Sequence, residues 1–214
     1  NRVQPYELIE SLMKNNLNKH FKGVNFDLLY GLPGSSQETF HRTIELTKQL
    51  SPERITLIKY GHIPKRVKHM RMIKDEDLPD PNELPAIFVD STKKLIEAGY
   101  EWVGIDHFAK KNDQLAIAKL EGKVYRNFGG ETPGYTKDIM GLGPTSTGGF
   151  GNYYFQNKGL KEYMEDIKDG RFSTERGYVL TEDDILRREV NFSLQCNQII
   201  EIDKINKKYN IEFK

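Results

Sequence analysis

The chain has 214 residues, of which 37% are hydrophobic and 29% are charged, and this composition is typical of a globular protein rather than a disordered one. The formal net charge of +1 gives no global field that would attract nucleic acid or an anionic membrane, and no apolar run reaches the roughly 18 residues of a spanning helix. The single cysteine, Cys196, excludes an intramolecular disulfide and favours the cytoplasm as the location.

Helical and extended patterns alternate through the first half of the chain. Ser35 and Glu38 have the spacing of a capping box at the start of the second helix, and Gly99 ends the third. This alternation favours a parallel α/β sheet, open or closed into a barrel, whose ligands gather at the carboxyl ends of the strands. The predicted helices cover residues 5–20, 35–50 and 84–98, and the predicted strands cover residues 24–30, 54–62 and 100–108.

The second half of the chain begins with a short predicted helix at 113–123 and then becomes rich in glycine. Residues 126–157 predict a loop region, in which glycine either lets the backbone approach a ligand or simply makes turns. Thr181 and Asp184 predict the capped start of a helical module that continues to residue 214.

Two positions in the predicted strands carry candidate functional groups. Asp27 lies in an otherwise apolar strand, where a carboxylate either faces a ligand or serves as a structural anchor. Asp106 and His107 are adjacent, so simple strand geometry points their side chains to opposite faces. A histidine whose ring is oriented by a carboxylate is therefore at least as well supported as an acid and base pair.

A basic stretch follows the second predicted strand, from Lys65 to Lys74. Most of it is expected to be a solvated loop, while Arg71 and Lys74 are candidate partners for substrate carboxylates. The histidines show no metal-ligand spacing, and one cysteine is too few for a zinc or iron–sulfur centre. The sequence therefore predicts no metal site in this chain, and spacing alone assigns no catalytic residue.

Several strings resemble the signatures of one family, the oxygen-independent coproporphyrinogen III oxidases, which are radical S-adenosylmethionine enzymes. The first string also occurs in related heme chaperones, whereas DHFA together with RNF is similar to the oxidases and not to the chaperones. The resemblance extends from Arg2 to about Asn197. The strings are NFDLLYGLP at 25–33, KYGHIP at 59–64, IKDEDLP at 73–79, DHFA at 106–109 and RNFGG at 126–130.

The resemblance implies that this chain is the C-terminal half of such an enzyme. Its fold is then expected to be α/β: a partial β/α barrel that lacks its first strands in residues 1–149, a connecting segment at 150–180, and a truncated helical module at 181–214. The full-length enzyme is expected to bind two S-adenosylmethionine molecules and a four-iron four-sulfur cluster. Because the family's cluster cysteines precede this segment, the segment alone is expected to be inactive.

Residues with a role in the family carry over to positions in this chain. Asp27 can accept hydrogen bonds from the amino or hydroxyl groups of S-adenosylmethionine, and Arg2 can pair with its carboxylate. The loop after RNF departs from the family pattern, as does Thr147, where the family usually has an aliphatic residue. The cofactor residues carry over to Arg2, Asp27, Gly61 and Thr147. The candidates for substrate contact are Arg71, Lys74, His107 and Arg126.

The implied reaction is the oxidative decarboxylation of coproporphyrinogen III to protoporphyrinogen IX in heme biosynthesis. The implied partner is a small tetrapyrrole substrate, with no nucleic acid and no membrane, and the protein is expected to be a cytoplasmic monomer. The alternative is a heme-binding chaperone of the same superfamily without oxidase activity. For that role the sequence offers His62, His69 or His107 as heme ligands but no motif.

Overall fold

The computed structural model describes residues 4–17, 20–127, 129–134 and 138–212, without the side chains of residues 16 and 17. The chain forms two compact units, residues 1–117 and residues 118–214. The domain boundaries predicted at 149 and 180 stay predictions. Within the described ranges, no helix is both long enough and apolar enough to cross a membrane.

The first unit is built on a four-stranded mixed sheet with strand order β1-β2-β4-β3. Strand β1 is parallel to β2, while β4 is antiparallel to both β2 and β3. Two short 3-10 turns, Lys68–Met72 and Asp75–Asp77, follow β2. The main elements are α1 (Tyr6–Leu12), which continues as a π-helical turn at Met13–Leu17, β1 (Asn25–Tyr30), α2 (Gln37–Leu50), β2 (Arg54–Lys59), α3 (Leu84–Glu97), β3 (Tyr100–Gly104) and β4 (His107–Lys110).

The core of the first unit lies between one face of this sheet and helices α2 and α3. Ile55, Leu57 and Phe108 project from the sheet and join Ile44 and Ile87 from the helices, and none of these five side chains is more than 1% exposed. Burying each such side chain contributes about 1.5–3 kcal/mol. Thr56 lies between Ile55 and Leu57, so its side chain points to the opposite face, and its partner Asp27 on β1 shares that face.

Helix α2 starts one residue later than the sequence pattern predicts. Ser36 is its N-cap, and the Ser36 Oγ accepts a hydrogen bond from the Thr39 backbone N–H at 3.2 Å. The Thr39 hydroxyl oxygen accepts one from the Ser36 backbone N–H at 2.9 Å. The predicted cap of Ser35 and Glu38 is therefore wrong, since the adjacent serine and a threonine close the same reciprocal pair.

The predicted strand at residues 100–108 is two strands. Gly104 pairs with His107 across a tight reversal, and Trp102 pairs with Phe108. Ile105 and Asp106 form the turn between β3 and β4. The prediction of a parallel sheet is therefore wrong for this part of the chain, because the apolar run continues through a hairpin that periodicity does not reveal.

Helix α4 (Gln114–Leu120) contains the boundary between the units and matches the predicted short helix. The second unit has an antiparallel sheet of order β7-β8-β9 and a separate hairpin of β5 and β6. Its elements are β5 (Val124–Asn127), β6 (Gly130–Pro133), β7 (Thr147–Phe150), β8 (Tyr153–Asn157), α5 (Leu160–Lys168), β9 (Thr174–Val179), α6 (Glu182–Phe192), a π-helical turn at Ser193–Asn197, and α7 (Ile202–Tyr209).

Parts of the glycine-rich segment at 126–157 belong to strands β5, β6, β7 and β8, so its prediction as a loop region is wrong for these parts. Glycine lowers strand propensity, but here it makes room for aromatic rings of the neighbouring strand. A Cβ added at Gly149 would lie 2.9 Å from the Tyr154 ring. The predicted helix cap of Thr181 and Asp184 is confirmed. The Thr181 Oγ1 accepts a hydrogen bond from the Asp184 backbone N–H at 3.2 Å and caps α6.

Candidate functional site

A row of polar side chains crosses the face of the first unit's sheet opposite the helices. Asp27 pairs with Thr56, and Thr56 pairs with His107. Residues directly opposite each other on neighbouring strands share a face, so the structure brings Asp27 and His107 onto one surface. Asp27, Thr56 and His107 therefore make the first candidate site.

Asp27 is exposed on this surface. The Asn25 side-chain amide donates a hydrogen bond to the Asp27 Oδ1 at 2.7 Å. The prediction of a buried strand around it is wrong, because β1 pairs only with β2 among the described strands and its residues alternate between exposed and partly buried. A carboxylate has more than one acceptor position, so Asp27 keeps acceptor capacity towards a ligand on this face.

His107 is oriented by its neighbour. Its Nδ1 lies 2.7 Å from the Asp106 Oδ1, and both side chains are largely buried. The expectation that the two point to opposite faces is wrong, because Asp106 lies in the hairpin turn and not in a strand. The arrangement matches the alternative of a histidine whose ring a carboxylate fixes.

Gly61 follows the carboxyl end of β2, where the Tyr60 backbone N–H donates a hydrogen bond to the Tyr30 carbonyl at 2.8 Å. Apart from Gly61 itself and its two chain neighbours, no heavy atom among the described residues lies within 4 Å of a Cβ built at Gly61. This leaves space against the backbone for a flat group. Arg2, the remaining cofactor candidate of the first unit, lies outside the described residues.

Arg71 and Lys74 lie in the segment of short 3-10 turns after β2. The Arg71 Nε donates a hydrogen bond to the Pro64 carbonyl at 3.1 Å. Lys74 pairs with Glu76 at 3.0 Å, and both side chains are more than 70% exposed. These contacts are local, and the role of Arg71 and Lys74 as carboxylate partners stays a prediction.

The second unit has a candidate site of its own, a cavity of about 660 Å³. Its floor is one face of the β7-β8-β9 sheet, on which Thr147, Gln156 and Arg176 form one cross-strand row and Gly149, Tyr154 and Tyr178 form the next. Its other walls come from β5, α6 and the turn after α6, through Tyr125, Arg126, Arg188, Phe192 and Gln195.

The structure thus brings together two residues predicted from the sequence, Thr147 and Arg126, in this cavity. The Arg126 Nη1 lies 3.8 Å from the Oε1 of Glu131, whose side chain is fully buried. Sequence reasoning missed Arg176 and Arg188. The sequence signal for them was weak. Tyr178 lies two residues after Arg176 in a strand, and Phe192 lies four residues after Arg188 in a helix, so each arginine shares a face with an aromatic residue.

The described part of the chain contains no group of three or more His, Cys, Asp or Glu residues that could hold a metal ion. Cys196 is buried, and this burial raises the pKa of its thiol to about 11. A protonated, buried thiol is a poor metal ligand. The donor set of these residues therefore does not fit an iron–sulfur cluster.

Curated proteins that share one name match the whole of this chain. No family model matches the chain. The oxygen-independent coproporphyrinogen III oxidase of Escherichia coli strain K12 is 36% identical over 214 residues, covering 100% of this chain and 47% of the relative. The protein of the same name from Helicobacter pylori strain J99 is also 36% identical, with the same coverage.

A solved structure, coproporphyrinogen III oxidase from Escherichia coli, is described as a radical SAM enzyme and has a TM-score of 0.91 to this chain at 35% identity. The match covers 98% of this chain and 49% of that one. The chain therefore spans about half the length of the curated relatives it matches.

Proposed function

We propose that the chain belongs to the family of oxygen-independent coproporphyrinogen III oxidases and that it is part of an enzyme that converts coproporphyrinogen III to protoporphyrinogen IX in heme biosynthesis. The observation that carries the proposal is the similarity of the whole chain, in sequence and in fold, to enzymes of that name. The fold assigned by this proposal is the second half of a β/α barrel followed by a helical module.

S-adenosylmethionine would be held by Asp27, Gly61, Thr147 and Arg2, and it would supply a 5'-deoxyadenosyl radical for the abstraction of a hydrogen atom from a substrate propionate. Asp27 accepts hydrogen bonds from the amino or hydroxyl groups of this cofactor, as its exposed carboxylate allows. Gly61 offers the open backbone surface beside which the adenine lies. Thr147 contributes shape at the cavity of the second unit, and Arg2 pairs with the cofactor carboxylate.

In this proposal the four-iron four-sulfur cluster is held by parts of the protein outside this chain, since a single cysteine cannot hold it. Two S-adenosylmethionine molecules, a monomeric state, a cytoplasmic location, and the absence of nucleic-acid and membrane partners complete the proposal. Because its single cysteine cannot hold the cluster, the chain alone is predicted to be inactive.

The test is anaerobic turnover by the full-length protein after reconstitution of its cluster. Given coproporphyrinogen III, S-adenosylmethionine and a strong reductant, it is expected to form protoporphyrinogen IX and 5'-deoxyadenosine, both measured by chromatography and mass spectrometry. Omitting S-adenosylmethionine is expected to abolish both products. Stoichiometric heme binding, seen as a Soret band, without any vinyl product would instead identify the chaperone alternative and overturn the proposal.

A further inference from the structure

We propose that the cavity of the second unit binds the carboxylates of the tetrapyrrole and that Arg126, Arg176 and Arg188 are its anchoring groups. In this assignment they hold the propionates that are not reacting. The inference rests on the proposed function and deepens it, because it adds Arg176 and Arg188 to the substrate candidate Arg126 and gives the three arginines one role.

In one cross-strand row of the cavity floor, a glycine of β7 faces aromatic residues of β8 and β9. Gly149 pairs with Tyr154, and Tyr154 pairs with Tyr178. A Cβ at Gly149 would lie 2.9 Å from the Tyr154 ring, so only glycine lets that ring lie across β7. The result is an apolar surface bordered by polar groups, which is the usual composition of a site for an organic ligand.

The opposite wall is also aromatic. The rings of Tyr125 and Phe192 meet edge to face with centroids 5.1 Å apart, and both line the cavity. A volume of about 660 Å³ lies within the range of roughly 300–1,000 Å³ typical of small-molecule sites. A ring system with apolar faces suits these walls.

The polar groups of the cavity favour anions. Arginines reach it from three elements, Arg126 from β5, Arg176 from β9 and Arg188 from α6, and none of its described lining residues is acidic. The Arg176 Nε donates a hydrogen bond to the neutral Gln156 Oε1 at 2.8 Å. The Arg188 Nη1 donates to the Gly151 carbonyl at 3.3 Å and to the Tyr154 hydroxyl at 3.4 Å.

These contacts orient the guanidinium groups of Arg176 and Arg188 at the cavity. Buried Glu131 offsets part of the charge of Arg126, and Arg188 also interacts electrostatically with Glu189. A guanidinium group matches the two oxygens of a carboxylate. Arginines set on separate elements around an apolar floor therefore suit a flat ligand with several carboxylates at its rim.

The test uses the full-length reconstituted enzyme and compares Arg188→Gln, Arg176→Gln and the control Arg187→Gln. Arg187 is one residue from Arg188, but its side chain is 72% exposed and pairs with Asp183. The KM for coproporphyrinogen III is expected to rise about tenfold for Arg188→Gln, which loses a partly buried charged partner. It is expected to rise about threefold for Arg176→Gln at the exposed rim, with kcat nearly unchanged, and the control is expected to match the wild type.

Binding is measured independently by fluorescence titration with coproporphyrin III, the stable oxidised form of the substrate, and with mesoporphyrin, which has fewer carboxylates. The variants are expected to lose affinity for coproporphyrin III more than for mesoporphyrin. The affinity of Arg188→Lys is expected to be intermediate, because lysine keeps the positive charge but lacks the paired N–H donors of the guanidinium group. Circular dichroism melting confirms that each variant is folded.

The outcomes separate the two proposals. A wild-type enzyme that turns over normally, together with arginine variants no different from Arg187→Gln in KM and in porphyrin affinity, would overturn the cavity assignment alone. A wild-type enzyme that neither binds coproporphyrin III nor forms vinyl product would overturn the proposed function, and the cavity assignment with it.

Discussion

Asp27 lies on an exposed strand face, where the Asn25 amide donates a hydrogen bond to its Oδ1 at 2.7 Å. An exposed carboxylate with one neutral donor contributes little to the free energy of unfolding. Its neighbours across the sheet, Thr56 and His107, extend the same polar surface. The residue is therefore better placed to meet a ligand than to hold the fold.

Asp27→Asn in the full-length enzyme is expected to weaken S-adenosylmethionine binding by about tenfold, since hydrogen bonds to charged groups are worth about 1.5–3 kcal/mol. Vinyl formation is expected to fall, while cluster content and melting temperature stay nearly unchanged. The exposed Asp203 provides the control variant Asp203→Asn. Intact cofactor affinity combined with a lower melting temperature would show that Asp27 is a structural anchor.

Asp166 has the opposite character. Its carboxylate is 8% exposed and pairs with Lys158 and Arg171, each at 2.8 Å, while the Ser173 hydroxyl donates to it at 3.0 Å. The hydrogen bond from Lys158, followed by those from Arg171 and Ser173, holds the pKa of Asp166 well below its usual range. This network joins α5 to the chain segments on either side of it.

Asp166→Asn is expected to lower the melting temperature of the second unit by about 5 °C, because the paired cations lose their counter-charge. Since the pKa of Asp166 is lower in the folded chain, its stabilisation is present above the unfolded pKa of about 4 and is lost as the pH falls below it. The wild-type protein is therefore expected to lose more unfolding free energy than Asp166→Asn when the pH falls from about 7 to about 3.

Asp169→Asn is the control for this network, since Asp169 pairs with the same Arg171 at 2.9 Å but is 54% exposed. Equal melting temperatures for the two variants at neutral pH would contradict the role given to Asp166.

Two adjacent serines at the start of helix α2 have different roles. Ser36 caps the helix, whereas the Ser35 hydroxyl donates a hydrogen bond to the Leu32 carbonyl at 2.6 Å in the preceding turn. Ser36→Ala is expected to cost about 1 kcal/mol of unfolding free energy, the typical loss for an N-cap serine. Urea denaturation measures it, and Ser35→Ala, which leaves the cap intact, is expected to cost less. A larger loss of unfolding free energy for Ser35→Ala than for Ser36→Ala would show that Ser35 is the cap, as the sequence pattern predicts.

The positions of most helices follow from the sequence, because apolar spacing and caps are local. Gly99 follows α3 with a φ of +90°, as the stop signal predicts. The β3-β4 hairpin was not predictable in this way, since Ile105 and Asp106 form a turn inside an apolar run. The strands of the glycine-rich segment were missed because their stability comes from Tyr154 and Phe155 on the next strand and not from the glycines.

The candidate sites were predictable only in part. Asp27 was a candidate because a carboxylate in an otherwise apolar strand needs a partner, whereas Gly61 and Thr147 came from a resemblance to a family, since no spacing rule identifies them. Arg176 and Arg188 lie far along the chain from Arg126, and only the pairing of β9 and the packing of α6 bring all three to one cavity. Such long-range proximity has no local signal in a single sequence.

At the scale of the whole molecule, each compact unit contributes a different part of the proposed chemistry. The first carries Asp27 and Gly61, the cofactor residues that we propose there, and the second carries Thr147 and the arginine-lined cavity. The chain spans about half the length of its curated relatives, so the cluster and the remaining cofactor contacts are assigned to the rest of the protein.

We propose that this chain belongs to an enzyme that removes hydrogen from a substrate propionate, and the transfer of an isotope from substrate to cofactor would show this removal. The full-length enzyme is incubated anaerobically with S-adenosylmethionine, reductant and coproporphyrinogen III carrying deuterium on the propionate methylene groups. We expect the 5'-deoxyadenosine to contain deuterium, as measured by mass spectrometry, in an amount that increases together with vinyl formation. Formation of 5'-deoxyadenosine without deuterium, or of no vinyl product from a fully loaded enzyme, would contradict it.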